Sequence, residues 1–179
     1  MISSKIASLE ARLARLESSL KNKTATSSDW EDQNYLIMHI QEFARDRVSV
    51  AWMKKWWTRE VPASMKSNFS VAGQMVKAYP SMLQYFSESI QNNVKLGKWM
   101  VSSVYGKPAN FKYLGEELKN DYGFVLYLLK RLPSKDHDKI LSFVGNGLKA
   151  EMARIENLPY RQQEEEKENA LNRIQALLR

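Results

Sequence analysis

A chain of 179 residues has room for one domain of ordinary size, or for a domain with an appendage. Its 44% hydrophobic and 26% charged residues give a globular balance, its 7 Gly and 5 Pro are too few for an all-β protein, and its lack of cysteine excludes disulfides, thiolate catalysis and cysteine metal sites. The net charge of +7 is concentrated: residues 1–28 carry five basic and two acidic side chains, and residues 62–108 carry five basic and one acidic.

The chain opens on a heptad stripe. Ile2, Ile6, Leu9, Leu13, Leu16 and Leu20 follow one another at alternating steps of four and three, the seam of a coiled coil. With Ile6, Leu13 and Leu20 at position a, Lys5 and Arg12 fall at g, and Glu10 and Glu17 at e. In a parallel assembly Lys5 faces a neighbour's Glu10 and Arg12 faces its Glu17, so the charges favour self-association. The Arg12-Leu13-Ala14-Arg15-Leu16-Glu17 run has the arginine-to-glutamate spacing of short trimeric coiled coils, and Lys5 to Glu10 repeats it with lysine. A trimer is favoured over a dimer, although mixed Ile and Leu at a leave the dimer open. The competing arrangement folds this helix back onto its own chain. An isolated helix of this length is marginal in water, so it must dock somewhere.

A polar linker, residues 22–28, follows. Ser28 and Glu31 have capping-box spacing and introduce a long helix from Trp30 to about Glu60. Leu36, Ile37, Ile40, Phe43, Ala44, Val48, Ala51, Trp52 and Trp56 recur along it at helical spacing. Pro62 and Pro80 bracket a second body helix lined by Met65, Phe69, Ala72, Val76 and Tyr79. A third is predicted from Met82 to Val104, interrupted near Gly97 and stopped by Gly106 and Pro108. Short helices over Phe111–Lys119 and Tyr122–Leu132 come next, then one from Lys135 to about Asn157. The last runs through Glu164 to Leu178, edged by Leu171, Ile174, Leu177 and Leu178. Period-two alternation is missing. The fold expected is all-α: a coiled-coil helix over 1–21, a linker over 22–28, and a compact multi-helix domain over 29–179. No internal repeat beyond the heptads is expected.

Two basic-aromatic regions are the candidate contact surfaces for partner proteins or a polyanion. The first comprises Lys54, Lys55, Trp57 and Arg59, with Trp52 and Trp56 assigned to the core and Trp57, off that stripe, to an interface. The second places Lys95, Lys98, Lys107 and Lys112 among Trp99, Tyr105, Phe111 and Tyr113. His39 reads as a packing residue, and Asp136-His137-Asp138 as a helix start. Gly145-Asn146-Gly147 reads as a close helix crossing, and Glu164-Glu165-Glu166 as a solvated first turn. No catalytic, cofactor or metal constellation is assembled from these residues. The longest apolar run, Phe124 to Leu129, is too short to cross a bilayer. The start lacks the apolar core of a signal peptide, so cytosolic synthesis without membrane insertion is expected.

The Lys5–Glu17 leader, with a linker before a helical domain, resembles small structural proteins of tailed-phage virions. That resemblance implies a non-enzymatic assembly protein that self-associates and docks on other structural proteins, with a place in the virion. The alternative is a nucleic-acid-binding or packaging accessory protein using segments 1–28 and 62–108.

Overall fold

The computed structural model describes residues 32–102 and 106–179. The heptad residues Ile2, Ile6, Leu9, Arg12, Leu13, Leu16, Glu17 and Leu20 lie outside them, as do the linker, Ser28 and Glu31. The described residues are all-α, with ten α-helices, four 3-10 turns and no strand.

Helix α1 (Gln33–Arg45) starts at Asp32, whose carboxylate accepts the amides of Asn34 and Tyr35. It ends well short of the expected Glu60. Arg47 takes a left-handed φ of 55°, its amide returns to Ala44 O, and the amide of Val48 returns to Phe43 O. This is a Schellman stop built without glycine. Ser49 then caps α2 (Val50–Glu60) through the Trp52 amide.

Helix α2 is covered on two sides. Phe43 of α1 meets Trp52 and Trp56 edge-on at 5.0 and 4.9 Å between ring centroids. On the other side Trp57 packs on Phe86 and donates its indole N–H to Tyr85 O at 3.2 Å. Trp57 is 0% exposed, which removes it from the interface candidates. It belongs to a second apolar stripe, Met53-Trp57-Val61, buried along its length.

Asn68 caps α3 (Phe69–Ala78) through the Val71 amide. Helices α1 and α3 lie side by side in the same direction, tied by Asn68 to Gln33 at one end and by Tyr79 to Phe43 at the other. The Tyr79 hydroxyl donates to Phe43 O at 2.9 Å in the core, and burial, with Asp46 nearby, holds this phenol above its usual pKa.

From Pro80 onward the chain repeats itself, against the expectation of no repeat. A 3-10 turn (Pro80–Tyr85), a one-turn helix α4 (Glu88–Gln91) and a longer helix α5 (Val94–Ser102) form one unit. The same order returns 28 residues later, from Pro80 to Pro108: a 3-10 turn (Pro108–Tyr113), α6 (Glu116–Lys119) and α7 (Tyr122–Arg131). Pro80/Pro108, Tyr85/Tyr113, Glu88/Glu116 and Asn92/Asn120 are identical at that offset. Leu83/Phe111, Phe86/Leu114, Ile90/Leu118 and Leu96/Phe124 are matching buried apolar residues. Asn93 caps α5 through Leu96 N as Asp121 caps α7 through Phe124 N. The predicted helix from Met82 to Val104 is therefore three elements, and Gly97 sits inside α5, where it lets Leu118 and Phe124 pack closely.

A third, degenerate unit follows. Its 3-10 turn (Ser134–Asp136) and α8 (His137–Leu141) lead to Gly145 and then to α9 (Asn146–Glu156), so the helix predicted over Lys135–Asn157 is also divided. Ser87, Gly115 and Gly145, the residues preceding α4, α6 and α9, share nearly one backbone conformation, with φ of −62°, −65° and −67° and ψ of 155°, 157° and 158°.

Each of these positions ties its unit to an earlier segment of the chain. The Ser87 amide donates to Lys66 O and the Gly115 amide to Gln91 O. Gly115 has no side chain to cap α6; Asn92 Oδ1 of the preceding unit accepts the Leu118 amide instead, at 3.2 Å. Asn120 Oδ1 likewise accepts the Gly145 amide at 2.8 Å. A Cβ on either glycine would overlap the asparagine amide that docks there. The close approach expected around Gly145 is thus an asparagine seat, and Gly147 has open space. Helix α10 (Tyr160–Leu178) closes the stack against α7 and α5, with Ile174 buried and Leu177 54% exposed. Arg173 pairs with Asp121 at 2.8 Å.

Two outcomes follow from this packing. Gly115→Ala should lower stability in urea melts by about 1–3 kcal/mol, and by much less in an Asn92→Ala background, where the overlapping amide is gone. Equal costs in both backgrounds would show that the seat is not the cause. The raised Tyr79 pKa favours the protonated phenol in the folded state, so its contribution is complete below the free value of about 10 and is lost as pH rises through the folded value. Tyr79→Phe should reduce the fall in melting temperature above about pH 10, measured against the same variant at neutral pH.

Candidate functional site

The repeat decides which side chains of α5 face outward. Leu96, Met100 and Val101 are buried, and Gly97 is held against the second unit, which turns Lys95, Lys98 and Trp99 toward the exterior. Lys95 is exposed, whereas Lys98 and Trp99 are half-buried. Together with Ser102 and Leu178 of α10 they line an open cleft of about 280 Å³. The Ser102 hydroxyl donates to Lys98 O at 2.9 Å, fixing the last turn of α5 at the cleft edge.

Further cations lie over the aromatic rings of this region. Lys77 of α3 places its ammonium 5.9 Å from the centre of the Trp99 ring. Lys98 lies 6.0 Å from the Tyr127 ring, with the Arg131 guanidinium 4.6 Å from the same ring. Tyr127 is the second unit's counterpart of Trp99; it is buried, and its hydroxyl has no hydrogen-bond partner among the described residues. None of Lys66, Lys77, Lys95, Lys98, Lys107 and Lys112 forms an ion pair with a described carboxylate, whereas Lys119, Lys139, Lys167, Arg154 and Arg173 all do.

The other sequence candidates fall elsewhere. Lys54 lies 5.2 Å from the Tyr85 ring, and Lys55 and Arg59 are exposed on α2. Lys107 and Lys112 are exposed beside the 3-10 turn of the second unit, where Lys112 sits 4.9 Å from the Tyr113 ring. The structure therefore unites Lys95 and Lys98 and leaves Lys54, Lys55, Arg59, Lys107 and Lys112 outside the cleft. Ser102 lines it from the last turn of α5, while Leu178 of α10 reaches the cleft and Lys77 of α3 reaches the Trp99 ring without a sequence signal, because only packing brings α3 and the end of α10 to α5.

His39 is buried, edge-on to Tyr35 and 3.2 Å from Glu42. His137 contacts Leu132 O. No group of three potential metal ligands occurs among the described residues, and none of their helices is long and apolar enough to cross a membrane. Carboxylates gather at the opposite end of α10: Glu164, Glu165 and Glu166 are exposed, with Glu164 held by Lys167 and Glu166 by Arg154. Burial first, and then Glu151, Glu156, Glu166 and Glu164, push the Tyr122 phenol above its usual pKa.

Comparison with protein-family models, curated proteins and solved structures finds no match to this chain.

The Tyr127 hydroxyl supplies a direct check on this region. Burial of an unbonded hydroxyl costs about 1–3 kcal/mol, so Tyr127→Phe should leave thermal stability unchanged or raise it. A drop in melting temperature of several degrees would mean that the hydroxyl is bonded in solution.

Proposed function

We propose that this chain is a non-catalytic structural assembly protein. It associates with copies of itself through a parallel coiled coil over residues 2–20, a trimer in preference to a dimer. Its body over 29–179 then docks on other structural proteins of a larger complex, in keeping with the leader's resemblance to virion proteins of tailed phages. The observation that carries this reading is the heptad stripe with its matched charges: a seam of Ile and Leu that needs covering, and g and e residues that attract across a parallel interface.

The body supports the reading in a second way. Stacked helical units present extended surfaces, each built from repeated short segments, and such stacks suit docking more than they suit a closed reaction chamber. Its surface is also electrically divided, with lysines that have no acidic partner among the described residues around α5 and carboxylates at the start of α10. Separate patches of opposite sign orient a partner before contact.

Leu13→Asp or Leu16→Asp should convert the oligomer to monomer in light scattering and sedimentation while the helical signal and melting of the body persist. A charge at the centre of an apolar seam cannot be buried without a partner. An unchanged mass would overturn the role given to the leader.

A further inference from the structure

We infer that the cleft between α5 and the end of α10 binds single-stranded nucleic acid, with Trp99 as the stacking surface and Lys77, Lys95 and Lys98 as the phosphate contacts. The inference goes beyond the assembly reading and does not depend on the oligomeric state, because every residue it uses lies within one body.

The composition of the cleft selects the ligand. Among the described residues its lining holds two ammonium groups, an indole, a hydroxyl and an aliphatic side chain, and no carboxylate. A third ammonium approaches the indole from α3. These lysines have no acidic partner among the described residues, a condition they share with Lys54, Lys55, Lys130, Lys135 and Lys149; what sets Lys95 and Lys98 apart is that they line one cleft with an indole. Cations gathered on one side of a body raise the local concentration of a polyanion.

The aromatic group distinguishes among polyanions. Trp56, Trp57 and Trp99's counterpart Tyr127 are buried, and half-buried Trp52 is packed on Phe43 and Trp56, but half-buried Trp99 lines a cleft. An aromatic ring flanked by cations is the arrangement by which single strands are held: a base stacks on the ring while the adjoining phosphates meet the lysines. A duplex hides its base faces and cannot offer one to an indole set in a cleft. An acidic peptide would occupy the lysines but leave Trp99 and Leu178 without a counterpart. The volume of about 280 Å³ lies at the lower edge of the roughly 300–1,000 Å³ typical of small-ligand pockets, so it suits one nucleotide of a longer strand.

The experiment is fluorescence anisotropy of the full chain with labelled oligothymidylate of about 16 nucleotides, the upper end of a single-strand binding site, in low and moderate salt. A duplex of equal length and a labelled glutamate-rich peptide serve as competing ligands. Lys95→Glu with Lys98→Glu should weaken oligothymidylate binding at least about ten-fold and flatten the salt dependence by about 1.4 in log–log slope, two single-strand phosphate contacts. Trp99→Leu should weaken it about five-fold or more, the lower limit for loss of one stacked base. Lys135→Glu with Lys149→Glu, the same change in charge at exposed positions outside the cleft, should have little effect. The exposed Lys95→Glu change alone provides a variant that cannot disturb the core, and its melting curve should match the parent. Equal weakening by the Lys135/Lys149 pair would overturn the inference, as would tighter binding of the duplex. Binding of the glutamate-rich peptide with the same affinity and the same dependence on Lys95, Lys98 and Trp99 would assign the cleft to an acidic protein surface. Absence of oligothymidylate binding at low salt would end the proposal.

Discussion

The second half of this molecule rests on an amide side chain that caps a helix belonging to a different segment. Helix α6 has four residues, too few to sustain itself, and the glycine before it offers no side-chain acceptor. Asn92 supplies that acceptor from the preceding unit, in a space that exists because Gly115 has no Cβ. Asn120 occupies the matching space at Gly145 and bonds a different amide there. One asparagine thus ends its own helix, starts or seats the next unit, and sets the distance between them. Each unit depends on its neighbour, as in other stacked-repeat proteins.

From this joint the positions of the outer side chains follow. Seating α6 against Asn92 brings Leu114 and Leu118 to Gly97, which presses the inner face of α5 onto the second unit. The opposite face of α5 must then carry Lys95, Lys98 and Trp99 outward, and α10 completes the cleft with Leu178. The 19 residues of α10 extend about 28 Å at 1.5 Å each, so this helix joins the lysine-rich cleft to the acidic end of the body. Packing, not local sequence, therefore produces the separation of charge that a partner meets.

Several features were legible in the residue pattern for identifiable reasons. Prolines at 62, 80, 108 and 133 interrupt any helix, and the all-α class follows from periodicity with few glycines. Lys95, Lys98 and Trp99 were recognisable as a basic-aromatic group by their proximity in the chain. The stop at Arg47 was not, because the left-handed turn normally marked by glycine is made by arginine and held by two backbone hydrogen bonds. The burial of Trp57 was not legible, because Met53-Trp57-Val61 is as regular a stripe as Trp52-Trp56 and only packing shows that both are covered. The 28-residue repeat leaves only a faint trace in the sequence, because its identical residues are few and separated: a proline, a tyrosine, a glutamate and an asparagine.

By itself, the amino-acid sequence determined the helical class, the points at which prolines cut the chain, the heptad spacing of Ile and Leu over residues 2–20 and the two basic segments. Each depends on neighbours within a turn or two, where periodicity and backbone chemistry act directly. The tertiary structure alone decided that two stripes of α2 are both buried, that asparagines reach across to cap or seat distant segments, and that Lys77, Trp99 and Leu178 meet. Those outcomes depend on which surfaces come together, and a glycine records such a meeting only as a missing Cβ, whose meaning appears once the group filling that space is known.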